Sequence, residues 1–155
     1  MPYFCCNQVQ ALEKTFKAIQ LQRMQGIPIV NPALQVEAIN FQVWEKYCVG
    51  ILITPWFMNL LVLPDSTEQL HYSPKSDEKI TYHFPSGEYE FLVCYEESLG
   101  IYHSCSLFSP MFDFTTQEIA KQTAQQVLML LMQPVELMEK KGISRRDLLR
   151  GKARE

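Results

Sequence analysis

Gly50-Ile-Leu-Ile-Thr-Pro-Trp-Phe-Met-Asn-Leu-Leu-Val-Leu-Pro64 is an almost unbroken apolar stretch with one proline in its middle. Ile51–Thr54 and Phe57–Leu63 each have the length and composition of a buried strand. Pro55 cannot donate to a sheet ladder, so it predicts a bend, a bulge or a strand edge between them. The stretch is shorter than the roughly 20 residues that a membrane-spanning helix needs. We therefore predict two core strands with Pro55 as their joint.

The segments around this stretch change from a helical period to a strand period. Asn7–Gln25 has apolar residues three and four apart, which predicts a first helix. The period then shifts toward two, which predicts one strand from Phe41 through Val49 into the opening stretch. Three further strands are separated by short turns: Lys79–Phe84, Glu88–Glu97 and Ile101–Phe108. Consecutive strands joined by short turns predict an antiparallel sheet.

A second long helix is predicted after the strands. Thr115 and Glu118 have the spacing of a capping box, and an apolar face follows as far as Leu131. Strands between two helices favour the α+β class, here a two-layer sandwich with both helices covering one face of the sheet. We predict a single α+β domain over residues 1–138 and a basic, mobile tail over residues 139–155.

Charge is distributed unevenly along the 155 residues. The net charge is −3, but from Glu139 onward seven Lys and Arg stand against three Asp and Glu. The preceding residues hold seven basic against fourteen acidic side chains. Because phosphate binding requires clustered Lys and Arg, an acidic body argues against a nucleic-acid partner for the folded domain.

The five cysteines do not form a metal-binding pattern. None of them stands in C-x-x-C spacing, and no zinc-finger spacing occurs. No secretory signal precedes them, so we expect reduced thiols and a cytoplasmic protein without a membrane span.

His103, Cys105 and Cys94 are the candidate residues for chemistry. His103 and Cys105 lie two apart on a predicted strand and share a face, and Cys94 lies on the neighbouring strand. They could form a thiol–imidazole nucleophile or a soft-metal site, which would make the protein a Cys/His-dependent enzyme or a metallochaperone. The alternative, which we favour, is that they are buried as small hydrophobes. Phosphate-loop and hydrolase motifs are absent from the sequence, so we expect no enzyme, no metal and no cofactor.

The closing segment resembles another kind of signal. Ser144-Arg-Arg-Asp-Leu-Leu-Arg150 is similar to the motif of twin-arginine export signals, but it stands at the wrong end of the chain for export. It is either a mobile basic tail or a segment that imitates or supplements such a signal on a partner.

Four stretches, in order, resemble the HybE/HupJ family of NiFe-hydrogenase assembly chaperones, from about Ala11 to Gly151. The stretches are Gly50–Pro64, Pro85-Ser-Gly-Glu-Tyr-Glu-Phe91, Tyr102-His-Ser-Cys-Ser-Leu-Phe-Ser-Pro110 and Ser144–Gly151. The resemblance implies a non-enzymatic, cytoplasmic protein that binds hydrogenase large or small subunit precursors, with other maturation proteins as further candidate partners. It also implies that export of the twin-arginine hydrogenase is held back until its cofactor is inserted. Some family members carry a rubredoxin-like module, for which this chain lacks the C-x-x-C pairs.

The residues we expect to contact a partner come from the first and the last of these stretches. Aromatic and methionine side chains suit a binding surface where they stay exposed. The alternative is that Trp56 and Phe57 fill the core. The expected partner-binding residues are Trp56, Phe57, Met58, Asn59, Arg145 and Arg146.

Overall fold

The computed structural model describes residues 2–64, 78–96 and 98–134, with side chains described from residue 7 onward. The elements are α1 (Pro2–Arg23), β1 (Glu37–Trp44), β2 (Tyr47–Ile53), β3 (Met58–Leu63), β4 (Lys79–Phe84), β5 (Gly87–Glu96), β6 (Gly100–Phe108) and α2 (Gln117–Leu131). The six strands of the described ranges form one antiparallel sheet in the order β1-β2-β3-β6-β5-β4. The predicted α+β class is confirmed. Neither described helix has the combined length and hydropathy of a membrane span.

The opening stretch forms the central hairpin of this sheet. β2 pairs with β3 so that Ile53 faces Met58, and residues 54–57 form the turn between them. Pro55 lies in that turn, where its missing N–H costs no ladder hydrogen bond. Both strands are buried on both faces, which explains a continuous apolar sequence without alternation. The prediction of two core strands joined at Pro55 is confirmed.

The segment before this hairpin forms two strands, so the prediction of one strand from Phe41 through Val49 was wrong. β1 ends at Trp44 and β2 begins at Tyr47, and the two pair in antiparallel register. The turn places Glu45 at a φ of 56°, a left-handed conformation that glutamate rarely adopts. Because neither Gly nor Asn stands at the turn, residue types did not indicate it.

The two helices lie on opposite faces of the sheet, which corrects the prediction that both cover one face. Side chains alternate along β3: Leu60 packs in the cluster that contains α2, and Leu61 in the cluster that contains α1. Adjacent apolar residues on a strand point to opposite faces, so a wholly apolar strand needs cover on both. We call the α2 side the concave face and the α1 side the convex face.

The sheet curls toward α2 until its two edge strands meet through aromatic rings. Trp44 at the end of β1 stacks on Phe84 of β4 with centroids 4.4 Å apart, and Tyr47 meets Tyr82 edge-on at 5.3 Å. β1 and β4 are at opposite ends of the strand order, so these contacts nearly close the sheet into a barrel. Sheets twist and coil in this sense because of backbone sterics.

Helix α2 is held against β1 by polar contacts at its start. Thr116 is the N-cap, its hydroxyl accepting from the Ile119 N–H at 3.2 Å, one residue later than the predicted capping box. The Gln117 amide both accepts from and donates to the backbone of Gln35, at 3.0 and 3.2 Å. Gln117 also donates to the Glu37 carboxylate of β1 at 2.9 Å, so these contacts hold the start of α2 beside β1.

Candidate partner-binding surface

The turn of the central hairpin is closed by Thr54, which is fully buried. Its N–H donates to the Phe57 carbonyl at 2.8 Å, and its hydroxyl oxygen accepts from the Trp56 and Phe57 N–H groups at 3.2 and 2.9 Å. A threonine that satisfies the backbone of its own turn fixes the turn conformation. The aromatic pair is therefore presented on a constrained loop.

Asn31 joins this turn to two other segments. Its N–H donates to the Pro55 carbonyl at 2.8 Å. Its side-chain nitrogen donates to the carbonyls of Met111 and Phe114, both at 2.9 Å, and its side-chain oxygen accepts from the Ala33 N–H at 3.0 Å. Asn31 is only 7% exposed. A buried amide with all these partners ties three loops into one unit at this end of the sheet.

The sequence analysis missed Asn31. Between the prolines at 28 and 32 it is typical of a loop, and its role depends on Met111 and Phe114, about 80 residues away along the chain. No local pattern in a single sequence indicates such a long-range hydrogen bond.

The predicted partner-binding residues differ in accessibility. Met58 is fully buried on the concave face, and Trp56 is 9% exposed in the convex cluster. Phe57 is half-buried and packs edge-on against Phe16 of α1, with ring centroids 5.7 Å apart. Asn59 is also half-buried, and its side-chain nitrogen donates to the Ser104 hydroxyl at 2.8 Å. Arg145 and Arg146 lie outside the described residues.

Two exposed apolar side chains lie on the segments that Asn31 joins to the turn. Phe112 is 52% exposed in the loop after β6, and Ile27 is 39% exposed in the loop after α1. We call Ile27, Phe57 and Phe112 the loop-end surface. The sequence analysis did not single out Ile27 or Phe112, because only the convergence of the loops brings them to the same end of the sheet.

The candidate chemical residues do not converge. The Nδ1 of His103 lies 2.6 Å from the Tyr82 hydroxyl, inside the concave face, and Cys105 lies on the same face. Cys94 points to the convex face, so it cannot complete a site with them. Burial raises the pKa of the Cys105 thiol from 9.0 to about 11, which keeps it protonated and unreactive at neutral pH. Within the described ranges no three His, Cys, Asp or Glu side chains are grouped to hold a metal ion.

The described cysteines lie on both faces of the sheet. Cys94 and Cys105 are free, Cys94 on the convex face and Cys105 on the concave one. Cys48 is fully buried on the face of β2 that packs against α1.

Comparisons with known proteins agree on one family. A family model described as "NiFe-hydrogenase assembly, chaperone, HybE" matches residues 7–151. The "Hydrogenase expression/formation protein HupT" of Azotobacter chroococcum mcd 1 is 39% identical over 142 residues, covering 91% of this chain and 93% of that protein. The "Probable rubredoxin HupJ" of Rhodobacter capsulatus is 41% identical over 125 residues, covering 80% of this chain and 44% of that protein.

A solved structure has the same fold. The solution structure of HybE from Escherichia coli superimposes with a TM-score of 0.63 at 25% sequence identity. The match covers 81% of this chain and 76% of that one.

Proposed function

Since this chain belongs to the HybE family of NiFe-hydrogenase assembly chaperones, we propose that it binds immature NiFe-hydrogenase subunits in the cytoplasm. Its clients are the large or small subunit precursors of a twin-arginine exported uptake hydrogenase. By holding a precursor, it delays export until the cofactor has been inserted, and it performs no catalysis itself. The observation that carries this proposal is the family match over residues 7–151, nearly the whole chain.

The loop-end surface, together with Asn59, is the contact region we propose. Exposed aromatic side chains are the usual anchors of protein interfaces, and Phe112 and Phe57 are both accessible. The hydrogen bonds of Thr54 and Asn31 already order the loops, which lowers the entropy lost on binding. Trp56 and Met58 support the surface from the two cores beneath it.

The tail is a second contact that we propose. We propose that Arg145 and Arg146, in the basic stretch of residues 139–155, contact the precursor or supplement its twin-arginine signal. The surplus of basic over acidic side chains in this segment supports an electrostatic role.

Binding of purified precursors tests the proposal. Each subunit precursor, with and without its twin-arginine signal, is titrated with this protein and the affinity is measured by calorimetry. We expect Phe112→Ser to weaken binding about tenfold, the effect of losing one interface anchor. Tyr95→Ser is the matched control, since Tyr95 is also 52% exposed but lies where β5 pairs with the start of β6. It should bind like the wild type.

The outcomes separate the function from the surface. If the wild type bound neither precursor, the chaperone function would be wrong. If it bound a precursor and Phe112→Ser bound equally well, the function would stand and the loop-end surface would not be the contact.

A further inference from the structure

Phe112 lies at the corner of a tight turn between β6 and α2. The Phe114 N–H donates to the Met111 carbonyl at 3.1 Å, so Phe112 and Asp113 are the two central residues of this turn. Met111 and Phe114 are both buried, whereas Phe112 between them is 52% exposed. The turn is therefore anchored in the core on both sides of the ring that it presents to solvent.

The side chain of Asn31 binds both ends of this turn, residues 111–114, which we call the Phe112 turn. Its nitrogen carries two N–H groups and lies 2.9 Å from the carbonyl oxygens of both Met111 and Phe114, so each carbonyl receives its own donor. The side-chain oxygen accepts from the Ala33 N–H at 3.0 Å, which fixes the orientation of the amide. The Phe112 turn cannot tilt away from Asn31 without breaking a buried hydrogen bond.

The main chain of Asn31 binds the hairpin turn, residues 54–57. The Asn31 N–H donates to the Pro55 carbonyl at 2.8 Å, and the Asn31 carbonyl accepts from the Leu34 N–H at 3.1 Å. Pro55 lies two residues before Phe57. A single residue thus holds the Phe112 turn through its side chain and the hairpin turn through its main chain.

Asn31 differs in this respect from Thr54, which is also buried. The hydrogen bonds of Thr54 to Trp56 and Phe57 stay within the hairpin turn, so they do not fix where the Phe112 turn lies. Because Asn31 is only 7% exposed, a carbonyl that lost its donor there would not regain it from water in the closed structure. Loops with such unsatisfied groups open locally toward solvent. The relative placement of the two turns therefore depends on the two side-chain N–H groups of Asn31.

We propose that Asn31 is the positioning residue of the loop-end surface, an inference that rests on the proposed chaperone function. Its amide holds the Phe112 turn beside the hairpin turn before a client arrives. The client then meets Phe112 and Phe57 as parts of one preformed surface. Preformed loops lose less conformational entropy on binding, which raises the affinity without a direct contact from Asn31 itself.

Asn31→Asp tests this role, because it keeps the size of the side chain and the acceptor for the Ala33 N–H but removes both N–H donors. We expect it to bind the hydrogenase subunit precursors about tenfold more weakly than the wild type, measured by calorimetry at a temperature where both proteins are folded. Gln8→Glu is the matched control. The Gln8 side-chain nitrogen donates to the Pro64 carbonyl at 2.7 Å, beyond the opposite end of β3, so the same chemical change there should leave the affinity unaltered.

Two further measurements separate positioning from a general loss of stability. In Asn31→Asp the exchange of the Phe114 N–H with deuterium should accelerate at least about tenfold more than that of the Leu60 N–H, which reports unfolding of the whole sheet. Phe112→Ser should weaken precursor binding about tenfold in the wild type but only about twofold in Asn31→Asp, because a displaced turn no longer presents the ring to the client.

Three results would overturn the proposal: wild-type affinity in folded Asn31→Asp, an equal effect of Phe112→Ser in both backgrounds, or exchange of the Phe114 N–H that accelerates no more than that of the Leu60 N–H. If Asn31→Asp did not fold, Asn31→Ser would take its place in the same measurements, since it is uncharged and has one hydroxyl donor instead of two N–H groups. A wild type that bound no precursor would overturn the chaperone function and this client role with it. Precursor binding with wild-type affinity in Asn31→Asp would overturn the positioning role alone.

Discussion

The two faces of the sheet are built from the same strands but are closed in different ways. The concave face is covered by α2 and by the approach of the edge strands β1 and β4. The convex face is covered by α1, and beyond that helix it presents exposed polar side chains to solvent. These include Thr81, His83, Glu88, Glu90 and Ser106. The concave face is therefore an enclosed core, whereas the convex face is a surface that α1 covers only in part.

The hairpin turn is where the two faces meet. Trp56 packs in the convex cluster and Met58 in the concave one, so the two residues anchor the turn from both sides. Phe57 between them stays half-buried. Because this hairpin contributes side chains to both cores, its sequence is apolar over its whole length. Phe57 is the aromatic residue of the turn that stays accessible.

Substituting two adjacent leucines of β3 is the strongest test of the difference between the concave and the convex face. Leu60→Ala opens a cavity in the concave core, and Leu61→Ala opens one beneath α1. Both residues are at most 1% exposed, so each change should lower the free energy of unfolding by about 2–5 kcal/mol. We expect Leu60→Ala to cost about 1 kcal/mol more, because α1 can shift toward its cavity more easily than a nearly closed sheet can.

Urea unfolding of both variants measures this difference. An equal or larger cost for Leu61→Ala would contradict the distinction between an enclosed and a covered face. Leu92→Ala is the control, since Leu92 is 43% exposed on the convex side of β5 and should change stability little.

A smaller effect is expected from the close packing of Phe41 over Gly50 on the convex face. A Cβ at Gly50 would collide with the Phe41 ring, so Gly50→Ala should destabilise the fold by about 2 kcal/mol. In the Phe41→Ala variant the space beside Gly50 is empty, so adding Gly50→Ala should lower the free energy of unfolding by much less than about 2 kcal/mol. A double-mutant cycle by urea unfolding measures the coupling, and additive costs would show that steric packing is not the reason for this glycine.

Periodicity in the sequence predicted the strands more accurately than their arrangement. β4 spans Lys79–Phe84 as predicted, because Ile80, Tyr82 and Phe84 alternate with exposed residues. The contact of Trp44 with Phe84 could not be predicted, since it depends on how far a six-stranded sheet curls. The placement of the helices failed for a related reason. A strand that is apolar on both faces shows that both need cover, but not which helix supplies it.

The partner-binding surface was predictable only in part, because the exposure of its side chains depends on contacts between distant parts of the chain. The aromatic pair beside Pro55 was identified from composition, but its exposure depends on the contacts that surround it. Phe57 lies against Phe16 of α1, and Met58 lies inside the sheet. Asn31 and Phe112 could be recognised only once the loops were seen to converge.

The smallest expected effect concerns Cys94 and Cys105, the free thiols of the described residues, one on each face. Burial raises the pKa of Cys105 from 9.0 to about 11. For Cys94 burial also raises the pKa and the charge of Glu96 adds to it, while a hydrogen bond with Tyr102 acts in the opposite direction. A raised pKa favours the protonated thiol in the folded state. The contribution of the Cys105 thiol to the free energy of unfolding is therefore complete below about pH 9 and is lost as the pH rises toward about 11.

Near pH 10 the shift at Cys105 corresponds to about 1 kcal/mol of stability lost relative to neutral pH. We expect the unfolding free energy of Cys105→Ala to fall less between pH 8 and pH 10 than that of the wild type, by about that amount. Cys94→Ala should reduce the loss of unfolding free energy between pH 8 and pH 10 by a smaller amount, because Cys94 is half-buried on the convex face. If the two variants lost stability equally with pH, the enclosed face would not differ from the covered one in how strongly it excludes charge.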